Sequence, residues 1–75
     1  MAIERNIEYL KKFGAHLRQI RKEKDISQGR LSILADIPLS QVGRIERGEV
    51  NTTISTIVTL ADALKIKPKT LWDFD

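Results

Sequence analysis

Seventy-five residues leave room for one compact core, and the absence of cysteine means that no disulfide can reinforce it. A core of this size rarely supplies more than about 3–5 kcal/mol, so we expect close helix packing or self-association to add stability. No apolar run approaches the roughly 20 residues that cross a bilayer, and the first residues lack the pattern of a signal peptide, so we expect a cytoplasmic protein with no membrane partner.

Positive charge is concentrated in one segment, although the formal net charge of the chain is only +3. The basic residues between positions 11 and 24, opposed only by Glu23, are Lys11, Lys12, Arg18, Arg21, Lys22 and Lys24. Such a stripe is either an ordinary solvated helix face or a surface that attracts nucleic acid.

The first helix is predicted from apolar residues that recur every three or four positions. They are Ile3, Ile7, Leu10, Phe13 or Gly14, Leu17 and Ile20. This helix should end near Lys24 and Asp25. A glycine inside a helix costs about 1 kcal/mol relative to alanine, so Gly14 predicts that another element packs closely against the helix there.

Two short helices follow. Ser27 is a suitable N-cap for the second helix, whose apolar stripe is Leu31, Leu34 and Ala35. Asp36 tolerates the left-handed conformation in which many helices end. Pro38 then predicts a turn and the start of a third helix over residues 39–47, which Gly48 ends.

The third helix has an apolar side and a polar side. Val42 and Ile45 should face the core, whereas the outward residues should be Leu39, Ser40, Gly43 and Arg44. A fourth helix is predicted with Ser55 as its cap, and its apolar residues are Ile57, Val58, Leu60, Ala61 and Leu64. Pro68 should begin a fifth helix containing Leu71 and Trp72. The sequence therefore predicts an all-α fold of five helices in a single domain, residues 1–75.

Residues 27–47 have the outline of a helix-turn-helix, because two short helices are joined by a tight turn at residues 36–38. In such a unit the second helix can enter the major groove of DNA, provided that its inner face is apolar and its outer face can bind bases. Both conditions are met here.

The order and spacing of several motifs resemble helix-turn-helix proteins of the phage repressor and Cro type, often called XRE-like. The motifs are Phe13-Gly14-x-x-Leu17-Arg18-x-Ile20-Arg21, Ser27-Gln28-x-x-Leu31, Val42-x-Arg44-Ile45-Glu46-Arg47-Gly48, Leu60-Ala61-x-Ala63-Leu64 and Leu71-Trp72. The resemblance covers residues 13–74 and implies a lambda-repressor-like five-helix bundle. It also implies a transcriptional regulator, most often a repressor, that binds a palindromic operator in double-stranded DNA as a homodimer.

The resemblance also implies which residues meet DNA. Base contacts fall on Leu39, Ser40 and Arg44. Backbone contacts fall on Gln28, Ser27, Gln41, Arg47, Asn51 and Arg18. The chain departs from the family pattern at Pro38, which replaces a polar helix cap worth about 1 kcal/mol, and at Asp36, where glycine is usual.

Three other positions allow alternatives. Leu39 suits a thymine methyl group better than a hydrogen-bonding partner. Gly43 permits a close approach to the DNA backbone or simply lowers stability. His16, the only histidine, either contacts phosphate or is an ordinary surface residue.

A dimer surface is predicted at the C-terminal end, where the residues are Leu71, Trp72, Ile66 and Phe74, since aromatic side chains are enriched at interfaces. The alternative is that Trp72 seals the core of the monomer. Both uses can coexist.

The sequence does not predict an enzyme, a cofactor, a metal site or a small-molecule ligand. It has no cysteine, one histidine and no glycine-rich phosphate loop. Glu46 and Glu49 form a close acidic pair, which we attribute to ion pairing with Arg44 and Arg47 rather than to catalysis.

The sequence leaves the biological setting open. A repressor, a restriction-modification controller and an antitoxin-type autoregulator share these features. A helical protein-interaction adaptor without DNA binding also remains, because Pro38, Leu39 and Gly43 are unusual for a DNA-reading surface.

Overall fold

The computed structural model describes residues 2–74 of the chain, with side-chain surroundings from residue 6 onward. Within this range the chain forms five helices and no strand, which confirms the predicted all-α fold. The helices are α1 Ala2–Glu23, α2 Gln28–Ala35, α3 Leu39–Glu46, α4 Ile54–Leu64 and α5 Pro68–Trp72.

Local capping chemistry sets the ends of α2 as predicted. The Ser27 hydroxyl oxygen accepts a hydrogen bond from the backbone N–H of Arg30 at 3.0 Å, which satisfies one of the free amides at the start of the helix. Asp36 ends the helix in the left-handed conformation, with φ 55°. The short segment between α2 and α3 therefore has a defined path.

The start of α4 differs from the prediction. Its cap is Thr53, whose hydroxyl accepts from the N–H of Thr56 at 3.1 Å, and Ser55 lies inside the first turn. Both residue types cap helices well, so the backbone decides between them. Thr53 has the extended conformation that a cap requires, with φ −72° and ψ 159°.

One buried cluster holds the helices together. α1 packs against α3 and α5, α2 packs against α3 and α4, and α4 also packs against α5. The buried apolar residues are Phe13, Leu17, Ile20, Leu31, Ala35, Val42, Ile45, Leu60, Ala61, Leu64 and Leu71. The outward side of α3 remains free of this core.

Three apolar residues expected in helix stripes are not part of the core. Ile7 is 44% exposed, and among residues 6–23 of α1 the first buried position is Phe13. The side chain of Ile3 lies outside the described residues. Leu34 is 43% exposed at the edge of the contact between α2 and α4. Val58 on α4 is also exposed. Helical spacing identifies the side of a helix, but the neighbouring helices decide how much of that side is covered.

Gly14 confirms the predicted close contact and identifies the partner as α3. A Cβ atom at Gly14 would lie 2.5 Å from the carbonyl oxygen of Glu46 and would also collide with the carbonyl oxygen of Ile45. At the end of α3, Gly48 has φ +73° and packs against the backbone of Lys11. These two glycines let the backbone of α3 rest directly on α1, which positions α3 on the bundle.

Candidate nucleic-acid interface

The two sides of α3 differ as the sequence predicted. Val42 and Ile45 are 0% and 1% exposed, so they anchor the helix to the core. Leu39 is 53% exposed, and Ser40 and Arg44 are also exposed on the opposite side. The helix therefore offers an accessible surface with an apolar group, a hydroxyl and a guanidinium.

The first turn of α3 is held by the backbone alone. Pro38 occupies the N-cap position and makes no side-chain cap, as expected from its chemistry. Its carbonyl oxygen accepts from the N–H groups of Gln41 and Val42 at 3.0 and 3.1 Å. No side chain caps the first turn of this helix.

Gly43 was expected to face outward and is instead buried. The reason is local: a Cβ atom at Gly43 would lie 2.9 Å from Nη1 of Arg47, whose side chain folds back across this turn of α3. Because Gly43 has no side chain, the Arg47 guanidinium packs directly against the backbone of α3 at this position. Sequence spacing places Gly43 on the outward side of the helix but does not reveal what covers it.

A shallow concavity joins α3 to the start of α2 and to one side of α1. Its lining residues are Arg18, Arg21, Ser27, Gln28, Gly29, Leu39, Glu46 and Arg47. The exposed residues Arg18 and Arg47 line it together with the N-terminal end of α2. Positive side chains beside a helix N-terminus attract phosphate, so this surface suits a nucleic-acid backbone.

A buried ion pair that was not predicted connects three helices at this surface. Arg21 on α1 donates to both carboxylate oxygens of Glu46 on α3, at 2.7 and 3.0 Å, and also donates to the carbonyl oxygen of Ile26 at 2.9 Å. Gln28 on α2 donates to the same carboxylate at 2.9 Å. The network fixes the relative positions of α1, α2 and α3.

The sequence contained a partial signal for this pair. Glu46 follows Val42 by four residues and therefore lies on the buried side of α3, where a charge needs a partner. Ion pairing was expected with Arg44 or Arg47, but the partner of Glu46 is Arg21, 25 residues earlier. The end of α1 brings Arg21 to the site, and that placement depends on tertiary packing.

Glu49, the other acidic residue, pairs with Arg47 as expected. Nε of Arg47 donates to Oε2 of Glu49 at 2.9 Å, and Nη2 donates to Oε1 at 3.3 Å. The hydrogen bond and charge of Glu49 raise the pKa of Arg47. The pKa of the Glu49 carboxyl is lowered, first by the hydrogen bond from Arg47 and also by the charges of Arg47 and Arg44.

Most of the predicted DNA-contacting residues share this face of the molecule. Arg18, Ser27, Gln28, Leu39 and Arg47 line the concavity. Ser40, Gln41 and Arg44 are exposed on α3, and Asn51 is exposed in the loop between α3 and α4. The structure therefore groups them without assigning any contact.

The four residues expected at a dimer surface do not share one environment. Leu71 is 0% exposed and belongs to the core of the monomer, so its assignment to a dimer surface is wrong. Trp72 is 47% exposed, whereas Ile66 and Phe74 are partly buried against the core. Adjacent positions in the short helix α5 point in different directions, which explains why Leu71 and Trp72 differ.

His16 has a structural contact rather than a free ring. Its Nε2 lies 2.7 Å from the carbonyl oxygen of Thr70, and its ring centroid is 5.5 Å from that of Phe74. These contacts hold the C-terminal segment against α1. His16 was expected to be a phosphate ligand or an ordinary surface histidine, and its partners here belong to the fold.

Among residues 6–74, whose side chains the structure describes, no three or more His, Cys, Asp or Glu side chains are arranged to hold a metal ion. No helix within residues 2–74 is both long enough and apolar enough to cross a membrane.

A short capped helix, a tight turn and an anchored second helix with an exposed outer face define a helix-turn-helix DNA-binding protein. Comparison with known proteins agrees: the model of the HTH_3 helix-turn-helix family matches residues 17–71. The chain belongs to this family and is a DNA-binding transcriptional regulator.

Two similar proteins are called control or controller proteins. The control protein C.BamHI of Bacillus amyloliquefaciens is 38% identical over 63 residues, which are 83% of this chain and 78% of that protein. The crystal structure of the restriction-modification controller protein C.AhdI from Aeromonas hydrophila has a TM-score of 0.81 and 44% identity, covering 83% of this chain and 94% of that chain.

A third comparison extends the likeness in fold. An HTH_3 family transcriptional regulator from Vibrio cholerae has a TM-score of 0.85 with 24% identity, over 89% of this chain and 38% of that chain. The five-helix arrangement is thus shared with a larger protein.

Proposed function

We propose that this protein acts as a homodimer that places α3 of each subunit in the major groove of one half of a palindromic operator. The observation that carries this proposal is the exposed face of α3 beside the basic concavity at the start of α2. One surface therefore combines groups that can read bases with groups that can hold phosphate.

The proposed roles follow from position and chemistry. Ser40 and Arg44 supply hydrogen-bonding groups for base edges, and Leu39 supplies an apolar group for a thymine methyl. The proposed backbone contacts are Gln28, Ser27, Gln41, Arg47, Asn51 and Arg18. Gln28 is already oriented by its hydrogen bond to Glu46, so little side-chain entropy is lost when it meets phosphate.

The proposed biological role is control of a restriction-modification operon. Its support is the similarity to C.BamHI and C.AhdI over 83% of the chain. The protein would act in the cytoplasm by occupying a promoter, through binding and without catalysis. The position of the operator relative to the promoter would decide whether the bound protein blocks polymerase or recruits it.

Self-association is the second part of the proposal. A bundle this small gains stability by burying further apolar surface, and Trp72 offers nearly half of its surface to a partner. The proposed contact region also includes Ile66 and Phe74, which are close to Trp72 in the sequence and are partly buried against the core. Two-fold symmetry would then match the symmetry of a palindromic site.

Selection of duplexes from a random-sequence pool tests the proposal. We expect enrichment of a two-fold symmetric sequence with half-sites about 10 bp apart, or a small multiple of that spacing. Binding should weaken steeply as salt rises, because phosphate contacts release counterions. If no sequence is enriched and random duplex does not bind at low salt, the adaptor hypothesis replaces this one.

A further inference from the structure

The loop after α3 places the carboxylate of Glu49 against Arg47, one of the arginines that line the concavity. Arg47 and Glu49 meet through two parallel hydrogen bonds, at 2.9 and 3.3 Å, although their side chains are 59% and 52% exposed. A two-bond contact between guanidinium and carboxylate is the arrangement in which an exposed ion pair contributes most.

Gly43 makes this arrangement possible. The nearest atoms to a Cβ at Gly43 all belong to the Arg47 guanidinium group, with Nη1 at 2.9 Å and the central carbon at 3.7 Å. The guanidinium therefore lies against the backbone of α3. The Arg47 guanidinium contacts the backbone of α3 at Gly43 and contacts Glu49 through the edge formed by Nε and Nη2.

The edge of Arg47 that Glu49 occupies is one that a phosphate group can also bind. Nε and Nη2 form a planar fork that binds either a carboxylate or a phosphate through two hydrogen bonds. One fork cannot hold both anions. A DNA phosphate that takes this edge must displace Glu49, whose negative charge then lies close to the DNA backbone.

We propose that Glu49 competes with DNA phosphate for Arg47 and thereby lowers the affinity of the protein for DNA. The inference rests on the proposed function, because it assumes that the concavity binds a nucleic-acid backbone. It adds a negative regulator of affinity within the DNA-binding face itself. Each phosphate contact at Arg47 exchanges one anion for another, so its net gain is smaller than that of an unpaired arginine.

The test compares binding of the intact protein and its variants to one fluorescent duplex at several salt concentrations. Glu49→Gln removes the charge and keeps the size of the side chain. We expect it to bind roughly two- to fivefold more tightly than the unmodified protein, the factor that a well-formed exposed ion pair represents. Its salt dependence should steepen by about one counterion per subunit, because Arg47 is freed for phosphate.

Two further proteins separate this competition from a general change of charge. Glu8→Gln removes the same charge from the exposed part of α1 and should leave binding close to that of the unmodified protein. In an Arg47→Ala background, Glu49→Gln should give less than a third of its effect in the unmodified protein, since the competed group is absent.

The outcomes are distinct. If the unmodified protein binds the duplex and Glu49→Gln binds it no more tightly, the competition is overturned but the proposed function is not. The same conclusion follows if Glu49→Gln raises the affinity equally with and without Arg47. If the unmodified protein and every variant fail to bind any duplex, the proposed function falls and this inference falls with it. Thermal unfolding of each variant establishes that the proteins compared are folded.

Discussion

Among single residues, Arg44 is the side chain on α3 best suited to distinguish one base pair from another. It is exposed, and a guanidinium can donate two hydrogen bonds to guanine. We expect Arg44→Ala to weaken binding to the selected operator by about 1–3 kcal/mol and to relax the preference at one base pair. Gel-shift titration on cognate and random duplexes measures both effects.

Lys69→Ala is the control for Arg44→Ala, because it removes a positive charge from an exposed position on α5. It should change binding to both duplexes little. Equal losses on cognate and random DNA for Arg44→Ala would assign Arg44 to the phosphate backbone instead of to a base.

Glu46 and Glu49 are three residues apart but have opposite environments. The side chain of Glu46 is 2% exposed and neutralises Arg21, which is 9% exposed. Glu46→Gln leaves a buried guanidinium without its counter-charge, so we expect a loss of about 3 kcal/mol in the free energy of unfolding. Chemical denaturation measures it. Glu49→Gln, at an exposed ion pair, should lower the free energy of unfolding much less. Equal losses in the two variants would show that the buried network stabilises the protein no more than the exposed ion pair does.

Glu49 also predicts a pH dependence. Arg47 holds the pKa of this carboxyl below its ordinary value of 4.5, so the ion pair is complete above that value and is lost as the pH falls through the lower, folded pKa. A carboxyl-detected NMR titration should show a midpoint below 4.5, and Arg47→Ala should raise it. Lys69→Ala should not move it. An unchanged midpoint in Arg47→Ala would contradict the pairing in solution.

At the scale of elements, the contact between α1 and the end of α3 depends on the absence of a side chain. Gly14→Ala gains helix propensity, but its methyl group would collide with backbone oxygens of α3, which cannot move as a flexible side chain can. We expect a net loss of about 2 kcal/mol or more in unfolding free energy, as for an overpacked core.

Gly29→Ala is the matched control for Gly14→Ala. The nearest atom to its Cβ, apart from its chain neighbours, is the Ser27 hydroxyl oxygen at 3.9 Å, so nothing opposes the gain in helix propensity. It should stabilise the protein by about 0.5 kcal/mol. If thermal melts rank the two variants in the reverse order, α1 and α3 are not in backbone contact.

The caps of the helices show what neighbouring residues decide. Ser27 and Asp36 were predicted correctly because a cap depends on a side chain and on backbone amides within one turn of it. Thr53 was missed in favour of Ser55 because both residue types cap helices well and stand two residues apart. The path of the loop from α3 decides which of them takes the extended conformation.

At the scale of the whole molecule, neighbouring residues of α5 have different roles: Leu71 stabilises the monomer, and Trp72 is available for self-association. Leu71 is fully buried, so Leu71→Ala should cost about 3 kcal/mol of stability and leave little folded protein. Trp72→Ala should keep the monomer folded and weaken self-association, because much of Trp72 is available to a partner. Sedimentation equilibrium with circular dichroism distinguishes the two results, and an unchanged monomer-dimer equilibrium in Trp72→Ala would move the proposed interface elsewhere.

The amino-acid sequence alone determined the number of helices, their turns and the inner and outer sides of α3. These properties depend on residues within one or two turns of each other, such as Val42 with Ile45. The family resemblance came from the same local patterns. Most of the residues predicted to contact DNA lie on the two short helices, and the helix-turn-helix groups them on one face of the molecule.

Tertiary packing decided the partner of Glu46 and which apolar groups are covered, whereas the local pair of Arg47 with Glu49 was expected from the sequence. Arg21 meets Glu46 across 25 residues, and Leu71 is buried while Leu34 is not. The physical reason is that periodicity specifies the direction of a side chain from its own helix axis. Burial and ion pairing depend on the position of a second helix, which no local pattern contains.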